Sequence, residues 1–182
     1  MLWPLSCFYD EFQLPLPEIR RAESWELPEP EKSLLVHERD MTPTLEAAHG
    51  GKLQVRVLRY AASPEAVTRL VTLEIAGTPE PVGVGAIHIF MSRLPPEAKE
   101  RVLGLREPLG RILQETGVTH YSRPVAYFHV TPDRVLMEAL GMREPRVSHG
   151  RRNTIWNTSD EELAEVVEIL PPFENFAHRR MF

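Results

Sequence analysis

Alternation of side chains marks residues 68–77 as a strand. Its odd-numbered positions fall on one face of an extended chain: Arg69, Val71, Leu73 and Ile75. That face is apolar except for Arg69, which is always charged and is rarely buried without an anionic partner. Two interpretations follow. Either Arg69 extends into solvent at the strand end, or it lies at the rim of a cavity and binds a carboxylate.

Four further segments have the composition of strands: residues 52–60, 82–91, 118–130 and 147–156. The run 82–91 follows turn residues at 77–80, which predicts that it pairs antiparallel with residues 68–77. Pro124 interrupts the strand pattern in residues 118–130.

Five short helices are predicted from apolar spacing and capping residues: 31–38, 42–50, 95–103, 108–116 and 131–141. In the second helix, Thr42 suits the N-cap and Pro43 the first helical position, and glycines at 50 and 51 end it. Gly117 suits the C′ position after the fourth helix.

The segment 159–170 fits two kinds of structure. Ser159 and Glu162 match a capping box, and the apolar residues that follow recur at helical spacing. As a strand, the same segment would instead form a hairpin with residues 154–157. We favour the strand because of this pairing.

Residues 1–30 contain five of the 17 prolines and little periodicity, so they are predicted to form an irregular arm. The large apolar side chains of this arm are expected to pack on the body of the protein: Trp3, Phe8, Phe12 and Trp25. Residues 31–182 are predicted to form one domain, since a chain of this size buries about 70% of its unfolded surface.

Composition and charge narrow the function classes. The chain is 42% hydrophobic and 26% charged, as is typical of soluble globular proteins, and its net charge of −5 argues against binding of nucleic acid or anionic membranes. A single cysteine, Cys7, excludes an internal disulfide and fits a cytoplasmic location. No apolar run is long enough to insert into a membrane, and the N-terminus lacks the basic region of a signal peptide.

Motifs for cofactor, metal or covalent chemistry are not evident. Gly83 and Gly85 belong to a fragment of a dinucleotide fingerprint, but the fragment lies inside a predicted strand and no helix follows it. The seven histidines are scattered without ligand spacing, so no metal site is expected. No serine lies in a nucleophile elbow.

Several segments together, in this order and at this spacing, resemble the chorismate lyases (chorismate pyruvate-lyases). The similarity runs over residues 34–171, about three quarters of the chain. The matching pieces are Met41-Thr42, Arg69 eight residues before the turn at Gly77, Gly85, Leu94-Pro95-Pro96, residues 108–113, Gly150-Arg151-Arg152, and Glu168 before Ile169-Leu170-Pro171-Pro172.

The resemblance implies an α+β fold, a single six-stranded antiparallel sheet with short helices and flaps covering a buried ligand cavity. It also implies a carbon–oxygen lyase that converts chorismate into 4-hydroxybenzoate and pyruvate. Chorismate loses its C4 hydrogen and its C3–O bond, and aromatisation drives the reaction. No cofactor is therefore expected, in agreement with the absence of cofactor and metal motifs.

By the same resemblance, Arg69 pairs with the ring carboxylate of the substrate and product, and Glu168 meets the hydroxyl end of the ring. These two residues are the expected catalytic pair, with Glu168 either transferring a proton to the departing oxygen or only orienting the ligand. The backbone at Met41 and Leu109 would also donate to the carboxylate, and Gly85 would leave room for the ring.

Two departures from the family pattern concern the loops. The segment before the strand of Glu168 lacks the usual glycine and is longer, and two extra residues separate the Gly77 turn from Gly85.

Two roles stay open for Arg151 and Arg152: they bind the enolpyruvyl carboxylate, or they form a basic surface turn.

A second function class is a binding module that does no chemistry. Effector-binding domains of some bacterial transcription regulators resemble the same fold and bind small carboxylates. Those domains normally follow a DNA-binding winged helix, and the 30-residue arm is too short for one. Without the resemblance, the residues alone favour Glu168 as a solvated member of the acidic run at residues 160–165.

Overall fold

The computed structural model describes residues 2–78 and 80–173, so Pro79 of the predicted turn and residues 174–182 of the predicted domain lie outside the described part. The strands are β1 (Glu18–Ala22), β2 (Leu53–Ala62), β3 (Ala66–Ile75), β4 (Pro81–Phe90), β5 (His120–Thr131), β6 (Ser148–Asn157) and β7 (Glu162–Leu170). The helices are α1 (Leu5–Glu11), α2 (Glu31–Leu35), α3 (Met41–His49), α4 (Pro96–Leu103), α5 (Leu109–Glu115) and α6 (Arg134–Ala139). Two single 3₁₀ turns cover Ser24–Glu26 and Met91–Arg93.

The described strands form one antiparallel sheet in the order β1-β5-β6-β7-β4-β3-β2. The α+β class is confirmed, but the sheet has seven strands and not the predicted six. The additional strand is β1, which pairs with β5 at one edge of the sheet. Its five residues are too few for alternation to be recognised in the sequence.

The prediction that residues 1–30 are irregular needs correction, because they contain α1 as well as β1. The prolines of this segment lie before α1 and on both sides of β1, where they interrupt no hydrogen-bonded ladder. Phe8 is buried in the core as predicted, whereas Trp25 is 70% exposed and does not pack on the body.

Two helix boundaries differ from the prediction. The N-cap of α3 is Asp40, with φ −64° and ψ 144°, so Thr42 and Pro43 lie inside the first turn. This helix ends as predicted, at Gly50 with φ +68°. Helix α2 ends at Leu35 rather than near residue 38, and the carbonyl groups of Leu35 and His37 accept hydrogen bonds from the buried Arg151.

The segment 159–170 contains a strand, as favoured from the sequence. β7 pairs with β6 in a hairpin, with Thr154 opposite Glu165. Of the two capping-box residues, Ser159 lies in the hairpin turn and Glu162 begins β7. In the turn, Asn157 Oδ1 accepts hydrogen bonds from the backbone N–H groups of Ser159 and Glu161. β7 is the central strand of the sheet, so apolar residues are needed on both of its faces, and their spacing imitates a helix.

Helices cover both faces of the sheet. On one face, α1 and α6 pack against apolar residues of β4, β5 and β7. On the other face, α4 and α5 pack on β4, β6 and β7, and α3 packs near β2. Strand β5 is continuous through Pro124, where the register with β6 shifts, so the predicted break is a local irregularity. Within residues 2–78 and 80–173, no helix is both long and apolar enough to cross a bilayer.

Candidate functional site

Strand register brings distant polar residues together on the sheet face that lies under α3 and α5. One cross-strand row runs over β3, β4, β7 and β6 and contains Arg69, Ile87, Val166 and Asn153. The next row on the same four strands contains Val71, Gly85, Glu168 and Arg151. Side chains at alternate positions of a strand share a face, so both rows point the same way.

A cavity of about 570 Å³, including the space at its mouth, lies over these rows. All five residues predicted as binding residues line it: Met41, Arg69, Gly85, Leu109 and Glu168. Its walls are otherwise mainly apolar, and they also include the polar residues Asp40, Thr42, Ser122 and Asn153. The structure therefore places the predicted site residues along one cavity, and their roles remain predictions.

Arg69 is buried on the cavity floor, with 1% of its surface exposed, so the interpretation that it extends into solvent is wrong. Its Nη2 donates to the carbonyl oxygen of Glu107 at 2.9 Å. Its Nε and Nη1 are buried and have no hydrogen-bond partner among the described residues. Burial lowers the pKa of Arg69 to about 10, so the side chain remains cationic at neutral pH. A buried cation in this state is stabilised by an anionic ligand.

Glu168 is also buried, with 8% of its surface exposed, so it is not a solvated member of the acidic run. It lies directly opposite Gly85 across the β4–β7 pair. Its Oε2 accepts a hydrogen bond from Arg151 Nε at 2.5 Å. A carboxylate held in this way is a hydrogen-bond acceptor toward the cavity, where it suits a ligand hydroxyl.

Arg151 holds the segment before α3 against the sheet. It is completely buried, and besides Glu168 it donates to the backbone carbonyls of Leu35, His37 and Arg39 at 3.1, 3.0 and 3.4 Å. Arg151 is buried within strand β6, so the predicted surface turn is wrong for this residue. It is not among the residues that line the cavity, and its binding of the enolpyruvyl carboxylate stays a prediction.

Arg152 is excluded from the cavity by the alternation of the strand. It lies on the opposite face of β6 and pairs with Glu165 Oε1 at 2.5 Å. Both of these side chains are partly buried. The pair is formed between neighbouring strands rather than in a turn, so neither predicted role fits Arg152.

A polar cluster of Asp40, His120 and Ser122 at the cavity was not predicted. His120 Nε2 lies 2.7 Å from Asp40 Oδ2, and His120 Nδ1 lies 2.8 Å from the carbonyl oxygen of Val118. Ser122 Oγ donates to Asp40 Oδ1 at 3.0 Å. The hydrogen bond with Asp40 raises the pKa of His120, because both ring nitrogens face acceptors. Asp40 is about 80 positions away from His120 and Ser122 in the sequence, and no spacing pattern identifies the cluster.

For Asp40, burial and hydrogen bonding act in opposite directions. Burial by itself raises the pKa of this carboxyl, but hydrogen bonds from His120 and Ser122, with the charges of His120 and Arg151, lower it overall. Asp40 is thus an ionised N-cap residue that ties the start of α3 to β5.

Two helix starts and one glycine shape the cavity. Met41 and Leu109 are the first residues of α3 and α5, where backbone N–H groups have no acceptor within the helix. A Cβ on Gly110 would meet Asp40 and Thr42 at 3.4 Å, so the two helix starts approach closely. A Cβ on Gly85 would meet only Val71 Cγ2 at 3.5 Å, an ordinary contact, so space remains above Gly85.

Solved structures of other proteins have the same fold. The full PhnF protein from Mycobacterium smegmatis matches with a TM-score of 0.57 and 11% identity, over 75% of this chain and 65% of PhnF. The effector domain of PhnF matches with a TM-score of 0.54 and 11% identity, over 72% of this chain and 87% of the domain. The possible transcriptional regulator YydK from Bacillus subtilis matches with a TM-score of 0.52 and 12% identity, over 92% of this chain and 91% of YydK.

At 11–12% identity, these similarities show a shared fold and nothing more specific. None of these three structures is described as a lyase. This chain spans less than two thirds of full-length PhnF but most of its effector domain. No protein-family model matches the sequence, and no curated protein matches it either.

Proposed function

We propose that this chain is a binding module for a small organic carboxylate, which lies in the cavity with its carboxylate on Arg69. The observation that carries the proposal is the state of Arg69, which is buried and cationic and has two nitrogens without a partner in the described chain. A guanidinium binds a carboxylate with two parallel hydrogen bonds, either through Nε and Nη2 or through Nη1 and Nη2. Each of these two edges of Arg69 includes one nitrogen without a partner among the described residues.

The body of the ligand is a ring. Val71, Ile87 and Val166 provide an apolar floor, and the space above Gly85 admits a flat group between this floor and the helices. Glu168 would accept a hydrogen bond from a hydroxyl group on the ring. The ligand class is therefore a small cyclic carboxylate, with 4-hydroxybenzoate and chorismate as the first candidates.

Within this proposal, Met41 and Leu109 keep the roles predicted for them. The first N–H groups of α3 and α5 would add donors around the ligand carboxylate. The similarity to the PhnF structure supports a binding module more than an enzyme, since the name of that structure describes an effector domain and not an enzyme.

Calorimetric titration with 4-hydroxybenzoate tests the proposal. We expect wild-type protein to bind the acid and Arg69→Ala to lose binding, at a cost of about 2–5 kcal/mol for removal of a buried charge-assisted pair. Arg69→Lys should also bind poorly, since an ammonium group cannot reproduce the two-pronged contact. Arg56→Ala is the matched control, because Arg56 is a half-exposed arginine in the neighbouring strand β2, where it pairs with Glu74. Equal affinity of wild type and Arg69→Ala would refute the proposal.

A second candidate is chorismate pyruvate-lyase activity in the same cavity. The specific observation in its favour is that Arg69 and Glu168 line one cavity, with Gly85 directly opposite Glu168 and one row away from Arg69. This is the arrangement expected for residues that bind the two ends of the ring. Reaction would break the C3–O bond of chorismate and remove the C4 hydrogen, leaving 4-hydroxybenzoate and pyruvate. Incubation with chorismate, followed by the absorbance of 4-hydroxybenzoate and an assay of pyruvate, separates the candidates. If the protein binds chorismate but releases no products, it is a binding module. If 4-hydroxybenzoate and pyruvate appear, it is a lyase.

A further inference from the structure

Asn153 is a second polar side chain of the cavity whose hydrogen bonding is incomplete. It lies on β6, lines the cavity and has 1% of its surface exposed. Its Oδ1 is buried and has no partner among the described residues. A buried amide oxygen without a partner destabilises the folded protein, so such groups are rare unless something else binds them.

The other two buried polar side chains that line the cavity, Glu168 and Ser122, are already bonded. Glu168 is held by Arg151, and Ser122 donates to Asp40. Arg69 and Asn153 thus differ from their polar neighbours, and they lie in the same cross-strand row. Two strands separate them, which corresponds to about 14 Å between their Cα atoms.

Asn153 is also an unfavourable choice for a purely structural position. Asparagine is depleted in strands, and the neighbouring residues of its row toward Arg69 are the apolar Val166 and Ile87. An apolar residue at position 153 would extend this floor and leave no amide to satisfy. The site therefore retains a carboxamide whose oxygen receives no hydrogen bond from the described residues.

We propose that Asn153 binds a second hydroxyl group of the ligand, so that the preferred ligand is a small cyclic carboxylate with two hydroxyl groups. One hydroxyl faces Glu168 and the other faces Asn153, while the carboxylate lies on Arg69. A hydroxyl both donates and accepts, so it satisfies the carboxamide in either of its two orientations. This inference rests on the proposed carboxylate site and defines its ligand class.

The experiment compares monohydroxy and dihydroxy acids. Dissociation constants are measured by calorimetry for 4-hydroxybenzoate and for its two ring-dihydroxylated relatives, 2,4- and 3,4-dihydroxybenzoate. We expect one dihydroxy acid to bind the wild type about 3- to 10-fold more tightly than 4-hydroxybenzoate, the gain typical of one net hydrogen bond. In Asn153→Leu, which has a similar size without the amide, this ratio should fall to about one. Asn153→Ala repeats the test if the leucine side chain prevents folding.

Thr154→Val is the matched control. Thr154 is the next residue on β6, buried but on the opposite face of the sheet, so this variant should keep the wild-type ratio. The inference is overturned if neither dihydroxy acid gains affinity, or if the gain persists in the Asn153 variants. In both of these cases the binding of 4-hydroxybenzoate itself leaves the carboxylate site intact. Failure of the wild type to bind any of the acids would instead overturn the proposed function, and this inference with it.

Discussion

Arg69 and Arg151 lie in neighbouring rows of the same sheet face, and both are excluded from solvent, but their hydrogen bonding is opposite. Arg151 binds the carboxylate of Glu168 and three backbone carbonyls. Arg69 binds a single carbonyl and has two nitrogens without a partner among the described residues. One guanidinium therefore stabilises the fold, whereas the other is available to a ligand.

This contrast predicts opposite effects of the same substitution on stability. Arg69→Met removes a buried charge that has little compensation, so the free energy of unfolding without ligand should be unchanged or higher, by up to about 4 kcal/mol. Arg151→Met leaves Glu168 buried without its cation, so it should lose about 3–5 kcal/mol. Urea denaturation of both variants measures the difference. A comparable loss in Arg69→Met would show that Arg69 is a structural residue.

Gly85 is predicted to limit the size of the ligand site. Gly85→Ala should be tolerated, since an added Cβ meets only Val71 at 3.5 Å. Gly85→Leu would fill the space above the sheet, so it should block binding of 4-hydroxybenzoate more than it lowers the melting temperature. Calorimetry and thermal unfolding on the same samples provide the two values. A large loss of stability with binding retained would mean that Gly85 serves packing and that the ligand lies elsewhere.

Glu168→Gln distinguishes catalysis from binding. Glutamine preserves the size and much of the hydrogen bonding of the side chain, but it carries no charge and has no acidic proton. If the wild type converts chorismate and Glu168 acts in the transition state, kcat should fall by about 10²–10⁴-fold while the affinity for 4-hydroxybenzoate changes little. An unchanged kcat would reduce Glu168 to a residue that orients the ligand.

The pair of His120 and Asp40 predicts a pH window of stability. The pKa of His120 is raised in the folded protein. Its contribution to the free energy of unfolding is therefore complete below the ordinary histidine pKa of about 6.5, and it is lost as the pH rises through the raised value. The pKa of Asp40 is lowered, so its contribution is complete above about pH 4 and is lost as the pH falls through the lowered value.

Removal of the pair should therefore lower the free energy of unfolding most strongly between about pH 4 and pH 6.5. The free energy of unfolding of His120→Gln and wild type is compared by urea denaturation across pH 3–9. We expect the difference to be largest inside this window and smaller on both sides. A difference that does not vary with pH would show that the interaction is not ionic.

Local patterns in the sequence determined a large part of the fold. Alternation in residues 68–77 placed Arg69, Val71 and Leu73 on one face, and these residues do line the cavity. Gly50 and Gly117 end or follow helices with φ values of +68° and +69°, as turn chemistry predicts. These features depend on side chains within a few residues of each other, and their physical cause is contained in the local chain.

Only the tertiary structure decided what the buried polar residues do. Whether Arg151 lies in a turn or in the core depends on its register with Glu168, 17 residues away. The contact of Asp40 with His120 spans 80 residues, and the incomplete bonding of Asn153 depends on the helices that cover its strand. A side chain's partner across a sheet is set by strand order, by register and by the layer packed above it. None of these quantities has a period that a single sequence displays.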